Sequence, residues 1–246
     1  MNDDLAFVLG LCDAADAITL ERFRSLDLAW ESKPDKTPVS EADRAVEETI
    51  RRLVEQRGHG DGVHGEEFGD DGARRTWIVD PIDGTMNFVR GVPIWATLIA
   101  LDVEGELTVA AASAPALGRR WWAARGEGAF ANGEAIHVSA IAELDDAAVS
   151  TTIAHRMPDG WSTIVERSWL DRSLGDFWQY CLVAEGALDV ATDGPYMQRW
   201  DYAAPKLIVE EAGGRFTTFS GSDPHPGSST LATNGLLHDE ISALLS

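Results

Sequence analysis

Apolar residues recur with helical spacing in two segments near the start of the chain. Residues at positions i, i+3, i+4 and i+7 share one face of a helix, and such a set is formed by Leu5, Val8, Leu9 and Cys12. The segment 41–56 shows the same periodicity, and Ser40 before it has a side chain suited to cap a helix N-terminus. The pattern therefore predicts two amphipathic helices.

After Gly58 the pattern changes to short apolar runs bounded by turn residues, which is typical of strands. The first predicted strand, residues 76–79, ends at Asp80, and three more are predicted at 95–103, 107–113 and 121–124. The first half of the chain, residues 1–140, is thus predicted to be an α+β unit built mainly on a sheet.

Beyond about residue 140, predicted strands and helices alternate, which is typical of an α/β arrangement. The predicted strands are 147–152, 187–191, 215–219 and 230–233, and the predicted helices are 177–185, 201–212 and 236–245. We expect residues 141–246 to form an α/β half that joins the first half in one catalytic unit.

Charge and composition narrow the possible partners. The chain has 246 residues, of which 41 are acidic and 20 basic, so its formal net charge is −21. Such a surface repels nucleic-acid phosphates and anionic membranes, and no apolar run approaches the ~18–20 residues of a membrane span. The acidic start, residues 1–4, lacks the features of a secretory signal. Two cysteines at apolar helical positions indicate buried free thiols, and we expect a cytoplasmic protein.

The candidate chemistry lies in three acidic clusters, of which the second is the most informative: Gly65 to Gly69, Asp80 to Thr85, and Trp200-Asp201. Asp80 ends a hydrophobic strand, Asp83 follows three residues later, and Gly84-Thr85 can open a short helix with free N–H groups. Carboxylate oxygens are the ligands that Mg²⁺ prefers, and a helix N-terminus attracts anions. The combination indicates a divalent-cation site beside an anion site.

Each cluster also has an ordinary structural explanation. Asp-Pro-x-Asp-Gly is common turn chemistry, and Glu66-Glu67 is typical of a solvated surface pair. Asp201 has the character of a helix N-cap, and Asp43 has capping-box spacing from Ser40. Their occurrence in one chain, in this order and with these neighbours, is what favours a functional site.

Over essentially its whole length, the chain resembles the inositol monophosphatase family of magnesium-dependent phosphomonoesterases. The motifs that carry the resemblance are Trp77 to Phe88, Trp200 to Ala204 with Glu211 to Gly214, Gly65-Glu66-Glu67, and Lys33 to Asp43. The resemblance implies the layered αβαβα sugar-phosphatase fold, classed as α+β or α/β. It also implies a homodimer with two or three Mg²⁺ ions per site.

The resemblance assigns roles residue by residue. Glu66, Asp80 and the Ile82 carbonyl would hold the first Mg²⁺. Asp80, Asp83 and Asp201 would hold the second, and Glu66 would help to bind a third. The Gly84 and Thr85 N–H groups would receive the phosphate, with Ile82, Asp83 and Asp201 beside the substrate. Asp43 with Thr85, together with Glu66, would activate water, and Lys33 would support the site electrostatically.

Several softer segments, among them 87–96, 113–126 and 175–177, resemble the bacterial histidinol-phosphatase branch of the family. This likeness implies that the substrate is L-histidinol phosphate. Inositol 1-phosphate or a related sugar or nucleotide phosphate is the alternative, and a non-catalytic binding protein on the same fold is a more remote one.

The residues that would contact the rest of the substrate are less sharply indicated. Asp176 could accept a hydrogen bond from an ammonium or imidazolium group, or could simply cap a helix. Arg172 could approach the substrate or be solvated. Asp193 lies near the position of a substrate-contacting acid in the family, but the segment from Asp193 to Trp200 is one residue longer than usual. Met86 replaces the more usual threonine or lysine.

Overall fold

The computed structural model describes residues 3–33 and 37–246. The first two residues, part of the acidic start, and residues 34–36, part of the motif from Lys33 to Asp43, lie outside the described part. Within that part the helices are α1 (Asp3–Arg22), α2 (Glu41–Arg57), α3 (Thr85–Arg90), α4 (Gly160–Arg167), α5 (Asp176–Ala184), α6 (Arg199–Glu211) and α7 (His238–Leu245). Short 3₁₀ turns occupy Pro115–Leu117, Leu144–Asp146 and Ala154–Arg156.

The strands form three sheets. The strands of the first half are β1 (Trp30–Ser32), β2 (Pro38–Ser40), β3 (Gly62–Gly65), β4 (Gly69–Asp70), β5 (Arg75–Asp83), β6 (Ala96–Val103), β7 (Glu106–Ala114), β8 (Arg119–Ala124), β9 (Gly128–Ala131) and β10 (Glu134–Ile136). The others are β11 (Ala148–Thr151), β12 (Leu170–Arg172), β13 (Val190–Met197), β14 (Arg215–Thr217) and β15 (Ser228–Thr233). The sheet orders are β1-β2, β10-β9-β8-β7-β6-β5-β3-β4 and β12-β11-β13-β15-β14.

The large sheet is antiparallel except where β3 runs parallel to β5. Successive side chains of a strand point to opposite faces of the sheet. Here the residues on both faces are buried. On β5, Trp77 and Val79 pack against α1 and α2, whereas Ile78 packs against α5 and α6. A sheet covered on both faces explains why these strands read as continuous apolar runs rather than alternating ones.

The described part of the molecule is built of five layers. Helices α1 and α2 cover one face of the large sheet, and α5 and α6 lie between its other face and the five-stranded sheet. Residues of α4 and α7, such as Trp161 and Ile241, cover the outer face of the five-stranded sheet. This is the αβαβα order implied by the resemblance. The division into halves at residue 140 stays a prediction, since one cluster of buried residues extends over both sheets.

Two sequence predictions about strands need correction. The strand predicted to end at Asp80 continues to Asp83, because Asp83 pairs with Ala96 after a register shift. Of the predicted strand 187–191, only Val190 and Ala191 lie in β13. The N–H groups of Ala187 and Leu188 instead donate to the Leu182 carbonyl and terminate α5.

Two further expectations concern the membrane and the cysteines. None of the helices in the described ranges combines the length and apolar character that crossing a bilayer requires. Cys12 and Cys181 are both buried free thiols, as the sequence predicted. Burial raises the pKa of each thiol, to about 12 for Cys12, so neither is a reactive thiolate near neutral pH.

Candidate active site

Three carboxylates, two from β5 and one from a distant part of the chain, converge where the large sheet meets α6. Asp80 lies on β5, Asp83 is the last residue of that strand, beyond the register shift, and Asp201 lies in the first turn of α6. Each offers one oxygen to a group in which all the ligand atoms lie within 4.8 Å of one another. Metal ions need such convergence, because several hard oxygen ligands must meet at one point.

Backbone N–H groups orient two of these side chains. The Phe177 N–H, at the start of α5, donates to Asp83 Oδ2 at 2.7 Å, and the Gln198 N–H donates to Asp201 Oδ2 at 2.7 Å. The Asp201 contact is the capping-box bond at the start of α6. In each carboxylate one oxygen is thus held by the fold, and the other is left to bind a ligand.

The electrostatics of this cluster favour a divalent cation. Burial, with the added charge of neighbouring acids, raises the pKa of Asp80 and Asp83 well above the usual range and that of Asp201 to about 7. Asp80 Oδ1 is buried without a hydrogen-bond partner among the described residues. An unsatisfied buried oxygen is costly, and a bound cation would satisfy it. The residues present therefore fit a divalent metal ion such as Mg²⁺.

Glu66 follows the end of β3, beside this cluster, and is paired with Lys33. The Lys33 ammonium lies 2.7 Å from Glu66 Oε1 and 2.6 Å from Glu67 Oε1. Although burial lowers the pKa of Lys33, the two ion pairs raise it above its usual value. Burial raises the pKa of Glu66, and the Lys33 charge opposes that shift. Lys33 is therefore a cation paired with two acids beside the carboxylate cluster, and its supporting role in the site stays a prediction.

Asp43 and Thr85 meet near the carboxylate cluster. Thr85 Oγ1 lies 3.3 Å from Asp43 Oδ1 and 2.9 Å from the Ile82 carbonyl oxygen. The capping box of α2 fixes Asp43, because the Ser40 N–H donates to Asp43 Oδ2 at 2.8 Å. Burial raises the pKa of Asp43 to about 6, with added repulsion from Glu66. Capping and the candidate chemistry are thus two uses of one carboxylate.

Gly84 lies at the N-terminus of α3, and its backbone demands glycine. Its φ is +81°, and a Cβ here would lie 3.0 Å from the Ile94 carbonyl oxygen and 3.3 Å from Asp176 Oδ2. The close approach presents the first N–H groups of α3 to a cleft of about 390 Å³. The cleft is lined by Thr37, Pro38, Glu66, Asp80, Ile82, Asp83, Gly84, Thr85, Met86, Asn87, Thr152, Ile153, Ser173, Leu174, Gly175, Asp176 and Asp201.

Sequence analysis proposed several residues as contacts for the part of the substrate beyond its phosphate, and only some of them line the cleft. Asp176 lines the cleft, as does Met86, which is 65% exposed. Arg172 does not line it, and its Nη1 instead donates to the carbonyl of Asp171. Asp193 is buried beneath the cleft, where Tyr180 and Tyr196 donate hydrogen bonds to its carboxylate. Asp193 is therefore not presented to a substrate.

Sequence reasoning missed several polar residues of the cleft, of which Asn87 and Thr152 contact Asp176. Asn87 donates its amide to the Ile94 carbonyl and to Asp176 Oδ2. Thr152 accepts a hydrogen bond from the Asp176 N–H at 3.0 Å. The signal for Thr152 was present, because it directly follows β11 and strand ends are where α/β sheets place ligand-binding residues.

Comparison with a family model and with known proteins shows the family of the chain. Residues 2–246 match the sequence model described as the inositol monophosphatase family. A histidinol-phosphatase of Mycobacterium tuberculosis is 50% identical, over 98% of this chain and 96% of that protein. A histidinol-phosphatase of Streptomyces coelicolor is 48% identical, over 97% and 95%. The solved structure of an IMPase from Thermotoga maritima superposes with a TM-score of 0.91 at 31% identity, over 99% of this chain and 97% of that one.

Proposed function

This chain belongs to the inositol monophosphatase family of phosphoric monoester hydrolases, and from that we propose that it hydrolyses L-histidinol phosphate to L-histidinol and phosphate. The observation that carries the chemistry is the convergence of Asp80, Asp83 and Asp201 within 4.8 Å, beside the N-terminus of α3. The substrate is supported by the two histidinol-phosphatases, which match this chain over nearly its whole length at about half identity.

The family is magnesium-dependent, and the residues present suit that ion. Asp80, Asp83 and Asp201 would hold Mg²⁺ together with Glu66 and the Ile82 carbonyl, and we propose two or three ions per site. When bound, Mg²⁺ neutralises phosphate oxygens, lowers the pKa of water and stabilises the leaving alkoxide. This chemistry needs no cysteine or serine nucleophile, in keeping with the burial of both thiols.

The chain's own residues bind the phosphate and handle the proton. The first N–H groups of α3, those of Gly84 and Thr85, would donate to phosphate oxygens, since a helix N-terminus leaves such donors unpaired. Thr85 Oγ1 and Asp43 Oδ1, 3.3 Å apart, would orient the attacking water, and Asp43 would accept its proton. Glu66 would act beside them, and Lys33 would keep Glu66 ionised.

Two broader features are also proposals. We expect a homodimer, as the family resemblance implies, and sedimentation of the purified protein would measure this directly. We expect the cytoplasm to be its location, because two free buried cysteines without a disulfide suit a reducing compartment.

The test is phosphate release from a panel of monoesters with Mg²⁺ or with chelator. We expect the highest kcat/KM for L-histidinol phosphate and no turnover without metal. Asp83→Asn should abolish Mg²⁺-dependent turnover with the fold intact, and Asp171→Asn, which changes an exposed acid outside the cleft, is the matched control. Faster turnover of inositol 1-phosphate or a nucleoside bisphosphate would refute the assigned substrate.

A further inference from the structure

One acidic side chain in the cleft has no part in the metal site. Among the described residues that line the cleft, the acids are Glu66, Asp80, Asp83, Asp176 and Asp201, and none is lysine, arginine or histidine. Four of these acids belong to the proposed Mg²⁺ site. Asp176 therefore leaves a negative charge in the part of the cleft that must receive the organic portion of a substrate.

The Asp176 carboxylate lies directly beside the expected phosphate position. Its Oδ2 is so close to Gly84 that a Cβ there would be 3.3 Å away, and the same oxygen accepts a hydrogen bond from Asn87 at 3.3 Å. No cation in the described part of the chain forms an ion pair with it at 4.0 Å or less. A negative charge without a cationic partner, in a partly desolvated cleft, favours a cationic ligand group.

The backbone of Asp176 is held in an unusual conformation by a buried network. Its φ is +48°, a left-handed value that costs energy for residues other than glycine and persists only where the surroundings enforce it. Its N–H donates to Thr152 Oγ1 at 3.0 Å, and Gln179 Nε2 lies 3.3 Å from that same oxygen. Gln179 also donates to Asp193 at 2.7 Å. Asp193 is thus linked to Asp176 through Gln179 and Thr152.

We propose that Asp176 determines specificity by binding the ammonium group carried on the carbon next to the phosphorylated carbon of the substrate. The proposal rests on the function proposed above. In L-histidinol phosphate the ammonium is separated from the ester oxygen by a single carbon–carbon bond, whereas the imidazole lies farther out. An acceptor adjacent to Gly84 therefore suits the ammonium, and the imidazole would extend toward Ile153 and Leu174 at the cleft wall. The same charge disfavours esters with a second phosphate near the first.

The experiment measures how strongly the enzyme distinguishes an amine from its absence. Wild type and Asp176→Asn are compared on L-histidinol phosphate and on imidazolylpropyl phosphate, which differs by lacking the amine. Asparagine keeps the shape and tolerates left-handed φ, so it removes the charge and replaces one acceptor oxygen by an amide NH2 group. A charge-assisted hydrogen bond carries about ten- to a hundredfold of discrimination, so the ratio of the two kcat/KM values should fall by about that factor. Asp171→Asn should leave the ratio as in wild type.

The possible outcomes separate this inference from the function on which it rests. If wild type prefers L-histidinol phosphate but Asp176→Asn has the same ratio as wild type, the role of Asp176 is wrong and the proposed function stands. An equal loss on both substrates would also overturn it, because Asp176 would then act through the metals or the fold. If wild type instead prefers another class of monoester, both proposals fail. A Mg²⁺-induced rise in Tm that Asp176→Asn shares with wild type confirms that the variant is folded.

Discussion

Replacing Asp201 by asparagine should stabilise the metal-free protein while removing its response to Mg²⁺. Asp201 shares a space of 4.8 Å with Asp80 and Asp83, and without a cation these carboxylates repel one another. Asparagine removes one of the charges, and its amide oxygen can still accept the hydrogen bond from the Gln198 N–H. The variant therefore loses a charge that the proposed metal site needs, and the metal-free protein becomes more stable.

The size of the gain is gauged in two ways. Two like charges at the upper limit of the ligand-atom spacing, 4.8 Å, repel by about 3 kcal/mol at an effective dielectric constant of about 20. Burial, reinforced by the charges of Glu66, Asp193 and Asp176, raises the pKa of Asp201 from 3.8 to about 7, which is equivalent to about 4 kcal/mol. We expect the free energy of unfolding of the metal-free protein to rise by about 3 kcal/mol at pH 8, or a Tm increase of at least about 6 °C for a chain of this size.

The stability gained in Asp201→Asn should depend on pH. Because the pKa of Asp201 is higher in the folded state, the native protein binds more protons than the unfolded chain between pH 3.8 and about 7. Wild-type stability therefore falls as pH rises through that window. The gain in Asp201→Asn should be absent near pH 4 and complete near pH 8.

The assay is thermal and chemical unfolding of wild type and variant, with chelator and with saturating Mg²⁺. Wild type should gain stability with Mg²⁺, and Asp201→Asn should gain little and lose at least about a hundredfold in activity. Asp102→Asn is the control, because Asp102 is a buried acid that forms an ion pair with Arg199, so its removal should destabilise. A metal-free Asp201→Asn variant less stable than wild type at pH 8 would refute the repulsion argument, and an undiminished Mg²⁺ response would refute the ligand role.

Three further predictions follow from the site and its surroundings. Thr85→Val removes the hydroxyl beside Asp43 and should lower kcat about a hundredfold or more. Thr85→Ser keeps a hydroxyl and should retain most activity. Equal rates for the two variants would show that the hydroxyl has no part in catalysis. The pKa of Asp43 is raised to about 6 without metal, and a base must be ionised to accept a proton. A pH–rate profile should therefore show kcat/KM rising with pH, with its midpoint at or below about pH 6. A fall over that range would contradict the assignment of Asp43 as the base. Gly65→Ala would place a Cβ 2.0 Å from the Glu47 carboxylate and should lower the free energy of unfolding, measured with denaturant, by about 1–3 kcal/mol. Gly10→Ala is the control, because its Cβ would meet nothing within 4 Å, and it should be neutral or stabilising. Equal effects of the two substitutions would show that the contact with Glu47 does not restrict residue 65.

Local patterns were sufficient for most of the secondary structure. The helix predicted at 41–56 is α2 (Glu41–Arg57) with Ser40 as its N-cap, because its apolar periodicity and capping residues agree. The two errors have different causes. The register shift in β5 depends on its partner β6, which lies outside a local window. The end of α5 is instead a local turn that the apolar pattern did not reveal, because the N–H groups of Ala187 and Leu188 fold back onto the Leu182 carbonyl.

The sequence by itself determined the family and the class of chemistry, and it singled out the acidic residues that are candidate metal ligands, because long motifs such as Trp77 to Phe88 carry both these residues and the turn that presents them. Tertiary structure alone decided which of the softer candidates share the cleft. Asp176 enters it through a left-handed backbone held by Thr152, whereas Asp193 is buried and Arg172 does not line it. The physical reason is that a side chain's direction depends on partners far away in sequence, and burial and hydrogen bonding are properties of the packed layers rather than of any segment.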